Sequence, residues 1–202
     1  MRGKYLIVAV AILVTLTVVN QVKAEDNNPQ FGLAMNVSRP LENADFTLKG
    51  HLSFVNLLAN HTPHGSLGFN YQLNKRFDAE LFAGYVFAPD KADQGYFVGF
   101  EPTLNWDKLC FSNTFTYYQN WDMLFSFHTL NYQVFKFIRL GIDERNFQYL
   151  LPKDKLLIAY QVGPSVKIIF SDRANIKLNY FYSFERDGQD ANVFKMTLNL
   201  NF

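Results

Sequence analysis
The chain has 202 residues, a formal net charge of +1, and a composition that is 49% hydrophobic and 17% aromatic. Near-neutral charge removes the electrostatic basis for a nucleic-acid partner. The single cysteine, Cys110, excludes an intrachain disulfide and Cys-rich metal frameworks, so no metal or cofactor is expected. The length suits one domain or one barrel. After the first couple of dozen residues no stretch is apolar for the ~20 residues a membrane helix needs, so the apolar residues must be distributed periodically.

At the front, Arg2 and Lys4 precede an apolar run from Tyr5 to Val19. That run has the length of a signal-peptide core, roughly 7–15 residues, and is shorter than a spanning anchor. Asn20 to Ala24 is a polar segment with Val22 and Ala24 at the small-residue positions, which predicts a signal peptide over 1–24 with cleavage between Ala24 and Glu25. No cysteine follows the run, so a lipoprotein anchor is not expected. Residues 25–45 read as a lead-in. Within it, Phe31–Ser38 is either a short strand or a segment that packs inside or beneath a barrel, and Arg39–Asp45 is a turn.

From Phe46 the chain alternates. In Phe46–Leu58, Phe46, Leu48, Leu52 and Phe54 oppose Thr47, Lys49, His51 and Ser53. The same period of two predicts strands over Ser66–Asn74, Arg76–Ala88, Gly95–Trp106, Leu109–Gln119, Asp122–Tyr132, Val134–Arg145, Leu157–Phe170, Ala174–Phe184 and Asn192–Phe202. One face is dense in Phe, Leu, Ile and Tyr, and the other in Gly, Ser, Thr, Asn and Lys. Within Asp122–Tyr132 the pattern sets Met123, Phe125 and Phe127 on the apolar face against Ser126 and His128. A soluble sandwich or lipocalin-like barrel would bury the apolar set, and so many aromatics would overfill it. The expected fold is all-β: a transmembrane antiparallel up-and-down β-barrel of about ten strands over 46–202. An even count would bring both ends of the barrel to one side of the membrane.

The last strand is the clearest. Phe194, Met196, Leu198, Leu200 and Phe202 oppose Lys195, Thr197, Asn199 and Asn201, and the alternation runs to the terminal aromatic. With the signal segment and the repeated alternation, this resembles the small, roughly ten-stranded outer-membrane β-barrel proteins of Gram-negative bacteria. The resemblance implies an outer-membrane location, contact with outer-membrane lipid and lipopolysaccharide, and recognition of Phe202 by the barrel-assembly machinery. It also implies periplasmic turns at Asn74-Lys75, Asp107-Lys108, near Gln133 and at Ser171-Asp172-Arg173, with mostly longer loops outside. One short stretch, Phe100-Glu101-Pro102 followed by Asp107-Lys108-Leu109, is similar to a strand-turn segment of the nucleoside-specific channel family. It carries no binding residues across, and an architecture does not fix an activity.

The predicted inner face holds Lys49, Glu80, Glu101, Arg139, Lys167 and Lys195. Glu80 and Glu101 fall on neighbouring strands, as do Arg139 and Lys167, while Lys195 and Lys49 flank the closing seam. Acid gathers on one wall and base on the others. Either the charges pair inside a nearly filled barrel, or they line a narrow pore with a transverse field. The paired interior is the reading that fits so few strands. His61 and His64 fall in an expected outer loop, where Pro63 argues against a helical metal pair. Ser126 and His128 share one face of a strand; the plain reading is an interior hydrogen-bonding histidine. The other is a serine–histidine acyl-transfer pair, for which no acidic partner is identifiable. The expected function is a non-enzymatic barrel, a narrow channel or a structural or surface-interaction protein. The alternative is a lipid-modifying enzyme such as a lipid A acyl hydrolase or acyltransferase using these histidines.

Overall fold
The computed structural model describes residues 30–41, 45–55, 62–88, 94–149, 159–185 and 191–202. The expected signal peptide and His61 lie outside these residues. Eleven strands form a closed barrel, and there is no helix among the described residues. They are β1 (Gln30–Pro40), β2 (Phe46–Val55), β3 (Thr62–Gln72), β4 (Phe77–Val86), β5 (Gly95–Trp106), β6 (Leu109–Tyr118), β7 (Met123–Phe135), β8 (Ile138–Tyr149), β9 (Ala159–Ser171), β10 (Ala174–Glu185) and β11 (Ala191–Asn201). Consecutive strands pair antiparallel all the way round.

β1 is the strand that the alternation left open at Phe31–Ser38. It lies between β2 and β11, so Lys49 and Lys195 do not flank a common seam. With an odd number of antiparallel strands the first and last run the same way, and β1 pairs β11 in parallel from Gln30↔Lys195 to Asn36↔Asn201. The barrel therefore begins at the end remote from Phe202, not beside it. The seam continues past the paired residues: the Phe202 amide donates to Asn36 O at 2.8 Å, and the Ser38 amide to Phe202 O at 3.4 Å.

The end of the barrel at Phe202 carries tight turns. Asn74 Oδ1 accepts from the Arg76 and Phe77 amides at 2.8 and 3.0 Å, an Asx turn that leads into β4. Asp107 takes φ of 54° in the two-residue connection to β6, a conformation that Asp tolerates better than most residues. The turn expected near Gln133 falls later. β7 runs on to Phe135, with a register shift between Gln133 and Phe135, because no Gly or Pro interrupts Gln133–Phe137.

Apolar side chains cover the outside, including Leu67, Leu81, Val98, Trp106, Leu140 and Ile142, all exposed. The inside is mostly polar, with Asn70, Glu80, Thr116, Asp143, Ser165 and Asn179 buried. β7 departs from the predicted facing. Its register places Phe127 opposite Thr114 and Phe125 opposite Thr116, and these four line one interior cavity. Ser126 and His128 therefore point outward. Regular alternation of aromatic and polar residues gives the two faces of a strand but not which one meets the lumen.

Aromatics enter the interior over glycines. Phe82 pairs with Gly99 and Phe97 with Gly84 across β4 and β5. A Cβ at Gly99 would overlap the Phe82 ring and approach Phe115 O to 2.8 Å, so the close approach requires glycine there. At Gly50 on the outer face a Cβ would meet only the end of the Leu67 side chain, at 3.6 Å. We expect Gly99→Val to destabilise the barrel by about 1–3 kcal/mol through overpacking, and Gly50→Val to do so much less. Urea unfolding in detergent micelles, followed by tryptophan fluorescence, compares the two.

Candidate functional site
The interior is built from two ionic clusters, a side cavity and an apolar layer at the loop end. In the first cluster Lys49 of β2 donates to Glu80 Oε2 of β4 at 2.8 Å, and His51 Nε2 lies 2.6 Å from Glu80 Oε1. His51 Nδ1 faces Asn36 Oδ1 at 2.9 Å, and Asn36 Nδ2 donates to Asn201 Oδ1 at 3.0 Å. The chain of polar contacts thus crosses from β4 to the seam. Alternation places each of these residues on the lumen side of its strand. The register sets Lys49 opposite Gly68 and Glu80 opposite Asn70 in the next inward row, and Gly68 leaves room for the Glu80 side chain to reach across β3.

The second cluster centres on Asp143 of β8, which is completely buried. Its Oδ1 accepts from Thr129 Oγ1 at 2.9 Å and Ser165 Oγ at 3.3 Å; its Oδ2 accepts from Asn179 Nδ2 and lies 2.6 Å from Lys177 Nζ. Four strands are tied to one carboxylate. Lys195 and Arg145 carry further positive charge close by. The Arg145 guanidinium lies over the rings of Phe181 and Phe127, 4.2 and 5.3 Å from their centroids, a placement that compensates lost hydration with the ring quadrupoles.

The charges expected inside are found as follows. Glu80 and Glu101 are direct cross-strand neighbours, and so are Arg139 and Lys167. Glu101 accepts from Thr114 Oγ1 at 2.7 Å. The separation of acid and base onto different walls does not hold in the geometry. Lys49 is spent on Glu80, and the basic side carries its own carboxylate, Asp143. The residues that sequence reasoning did not single out are Asp143, Lys177, Arg145, His51 and Asn179. Their signal was present, because each sits at an inward position of its alternating strand.

Beside the clusters lies a cavity of about 650 Å³. Its lining runs from Ser38 and Asn201 at the turn end, past Lys49, Glu80 and Glu101, to His64 and Tyr118. At the loop end Val86, Ala88, Phe97 and Tyr118 are buried together, packed by Phe82, Trp121, Met123 and Phe125. The tilted rings of Phe97 and Tyr118 pack with centroids 5.4 Å apart, and Tyr118 meets Trp121 at 5.3 Å. His64, expected in a loop, belongs to this layer: it lies in β3 with its ring 6.1 Å from both Phe97 and Tyr118.

On the outer wall, His128 Nδ1 lies 2.6 Å from Asn113 Oδ1, and its ring packs edge-on against Phe115 at 5.7 Å. The interior histidine expected at this position is therefore a surface one. Its partner is on β6, 15 positions away in sequence, and only the strand register reveals it.

No family model matches the chain, and no curated protein matches it. The segment similar to the nucleoside-specific channels lies at the end of β5 and the turn into β6.

We expect Asp143→Ala to destabilise the barrel by about 3–5 kcal/mol, because it strands the Lys177 ammonium in the interior. The double variant Asp143→Ala/Lys177→Met should recover a large part of that loss. Both follow from urea midpoints of the refolded proteins. Equal midpoints for the single and double variants would show that the pair is not coupled.

Proposed function
We propose that the chain is a membrane-spanning barrel of the outer-membrane type, with a narrow, non-conducting interior, that acts through its surface. The observation that carries this is the apolar layer of Val86, Phe97 and Tyr118, buried together on the inner wall of β4, β5 and β6 at the loop end. Below it Lys49 is paired with Glu80 and Lys177 with Asp143, and a barrel of this strand number is only slightly wider than one that side chains fill. The exposed apolar wall supports burial in lipid. A soluble protein rarely leaves so continuous an apolar surface uncovered, whereas a lipid-facing wall requires it.

In this reading the protein is exported by its first 24 residues, loses them near Ala24, and resides in a bacterial outer membrane in contact with lipid and lipopolysaccharide. The barrel-assembly machinery recognises the last strand. This apolar layer weighs against the narrow solute channel. Lys49 with Glu80, and Glu101 through Thr114, then tie strands together, while Arg139, Lys167 and Lys195 lie on the basic side of the interior. Polar groups on the outer wall at His128 favour a second reading, lipid modification, which is developed in the next subsection.

In planar bilayers we expect the purified barrel to show no unitary conductance at any holding voltage. Phe97→Ala combined with Tyr118→Ala should introduce current steps; steps in the unmodified protein would reinstate the channel. Unboiled samples should migrate differently from boiled ones on gels, and identical migration would remove the barrel itself. Deleting Phe202 should lower the heat-modifiable fraction recovered from membranes more than Phe111→Ala does, since it removes two seam hydrogen bonds as well as the terminal aromatic. Equal recovery would separate assembly from this residue.

A further inference from the structure
The outer wall is apolar almost everywhere, and the exception is concentrated. Across β6, β7 and β8 one row of outward residues reads Phe111, Leu130, Ile142. The next row toward the loops reads Asn113, His128, Glu144, and the row above it Phe115, Ser126, Asn146. On β9 the same two rows return to Val162 and Tyr160. Five polar side chains thus form an island flanked by apolar ones, at a height where polar groups facing lipid are costly.

Within the island the groups are ordered by one another. The Asn113 carboxamide oxygen faces His128 Nδ1 at 2.6 Å. Accepting a hydrogen bond from that nitrogen fixes the tautomer with Nδ1–H and leaves Nε2 as the base. The imidazole packs against Phe115, which lies directly opposite Ser126, so the ring leans toward the serine's row. Ser126 and His128 are two residues apart on one face, roughly 7 Å between Cα atoms, so rotation of the two side chains can bring Ser126 Oγ to His128 Nε2. Asn146, opposite Ser126, is held by its own hydrogen bond, Nδ2 to Glu144 Oε1 at 3.0 Å. Its second N–H is left as a donor beside the serine.

We propose that Ser126 and His128, positioned by Asn113, form an acyl-ester hydrolase site on the lipid-facing wall, and that its substrates are ester-linked acyl chains of membrane lipids. The proposal rests on the membrane-spanning reading, because only in a bilayer is this face presented to acyl chains. Ser126 Oγ attacks the ester carbonyl carbon as its proton passes to His128 Nε2. The new carbon–oxygen bond gives a tetrahedral oxyanion, toward which Asn146 Nδ2 donates. Collapse breaks the bond to the alcohol, which leaves with the proton from His128. Water then attacks the acyl-serine, giving its proton to His128. The serine–acyl bond breaks, the proton returns to Ser126, and a free fatty acid is released into the adjoining apolar surface. No redox step is involved. The flanking Phe111, Leu130 and Ile142 supply the wall along which the chain lies.

The test uses the full barrel refolded into vesicles, with folding checked by heat-modifiable migration. One set of vesicles contains glycerophospholipid only; a second also contains lipid A. Fatty-acid release is followed by mass spectrometry. Release from the first set identifies a phospholipase, and release confined to the second a lipid A acyl hydrolase; either result supports the site. A fluorophosphonate probe should label the folded protein and not Ser126→Ala. Ser126→Ala and His128→Ala should each lower release by at least on the order of 10³-fold. Asn113→Ala should lower kcat with KM little changed, and Asn113→Asp should restore much of it, a pattern that a purely structural role would not give. Two results would overturn the proposal: folded protein that releases no fatty acid and takes no label, or Ser126→Ala that is as active as its parent. Failure of the barrel reading would show separately, as loss of heat-modifiable migration.

Discussion
A strand at the edge of a sheet leaves a row of amide and carbonyl groups unpaired, and closing the sheet into a barrel removes both edges. Here closure is made by β1 against β11. Most other features depend on that contact. Because β1 completes the circle, the count is odd and the seam is parallel. Because the seam fixes the register of β11, Lys195 is turned inward beside Asp143 and Arg145. The polar contacts from Glu80 through His51 and Asn36 to Asn201 run across the same seam, so the interior reinforces the closure of the wall.

The interior shows two ways of filling a narrow barrel. In the middle, carboxylates gather cations and hydrogen-bond donors around them. Asp143 alone organises Thr129, Ser165, Lys177 and Asn179 from three other strands. Nearer the loops the filling is aromatic, and the neighbouring strand must supply glycine at the point of contact, as at Phe82 with Gly99 and Phe97 with Gly84. Ion pairs specify which strands are neighbours, while rings over glycine specify how closely they approach. The outer wall, freed from packing, is the surface on which polar groups have no structural reason to accumulate. Their accumulation around His128 stands out for that reason.

Much of this architecture is legible as period-two alternation, since a strand between an apolar outer wall and a polar lumen must keep unlike faces. Each of the segments it predicted is a strand. β1 was left open because Gly32, Ala34 and Asn36 give its inner face little contrast with Leu33 and Met35. β7 was read with its faces exchanged. Apolar residues belong outside only while the lumen is polar, and at this height Phe125 and Phe127 belong to the lumen. The interior network was partly visible: Glu80 with Glu101 and Arg139 with Lys167 follow from strand order. Lys49 with Glu80 requires a reach across a whole strand, and Asn113 with His128 requires the register, neither of which is written in any local stretch.

The parallel seam has a consequence for how the barrel comes into being. It joins Gln30 to Lys195, nearly the two ends of the chain, whereas every other strand pair joins neighbours in sequence. Contacts between such distant residues carry the largest loop-closure entropy, and contact order of this kind slows the step that makes it. Ten hairpin-like pairings can therefore accumulate in any order as a curved, open sheet. Circularisation waits for both ends of the chain to be present and aligned. Until then β1 and β11 are two exposed edges of one molecule, each competent to pair with another copy, and the time spent in that state sets the risk of intermolecular association.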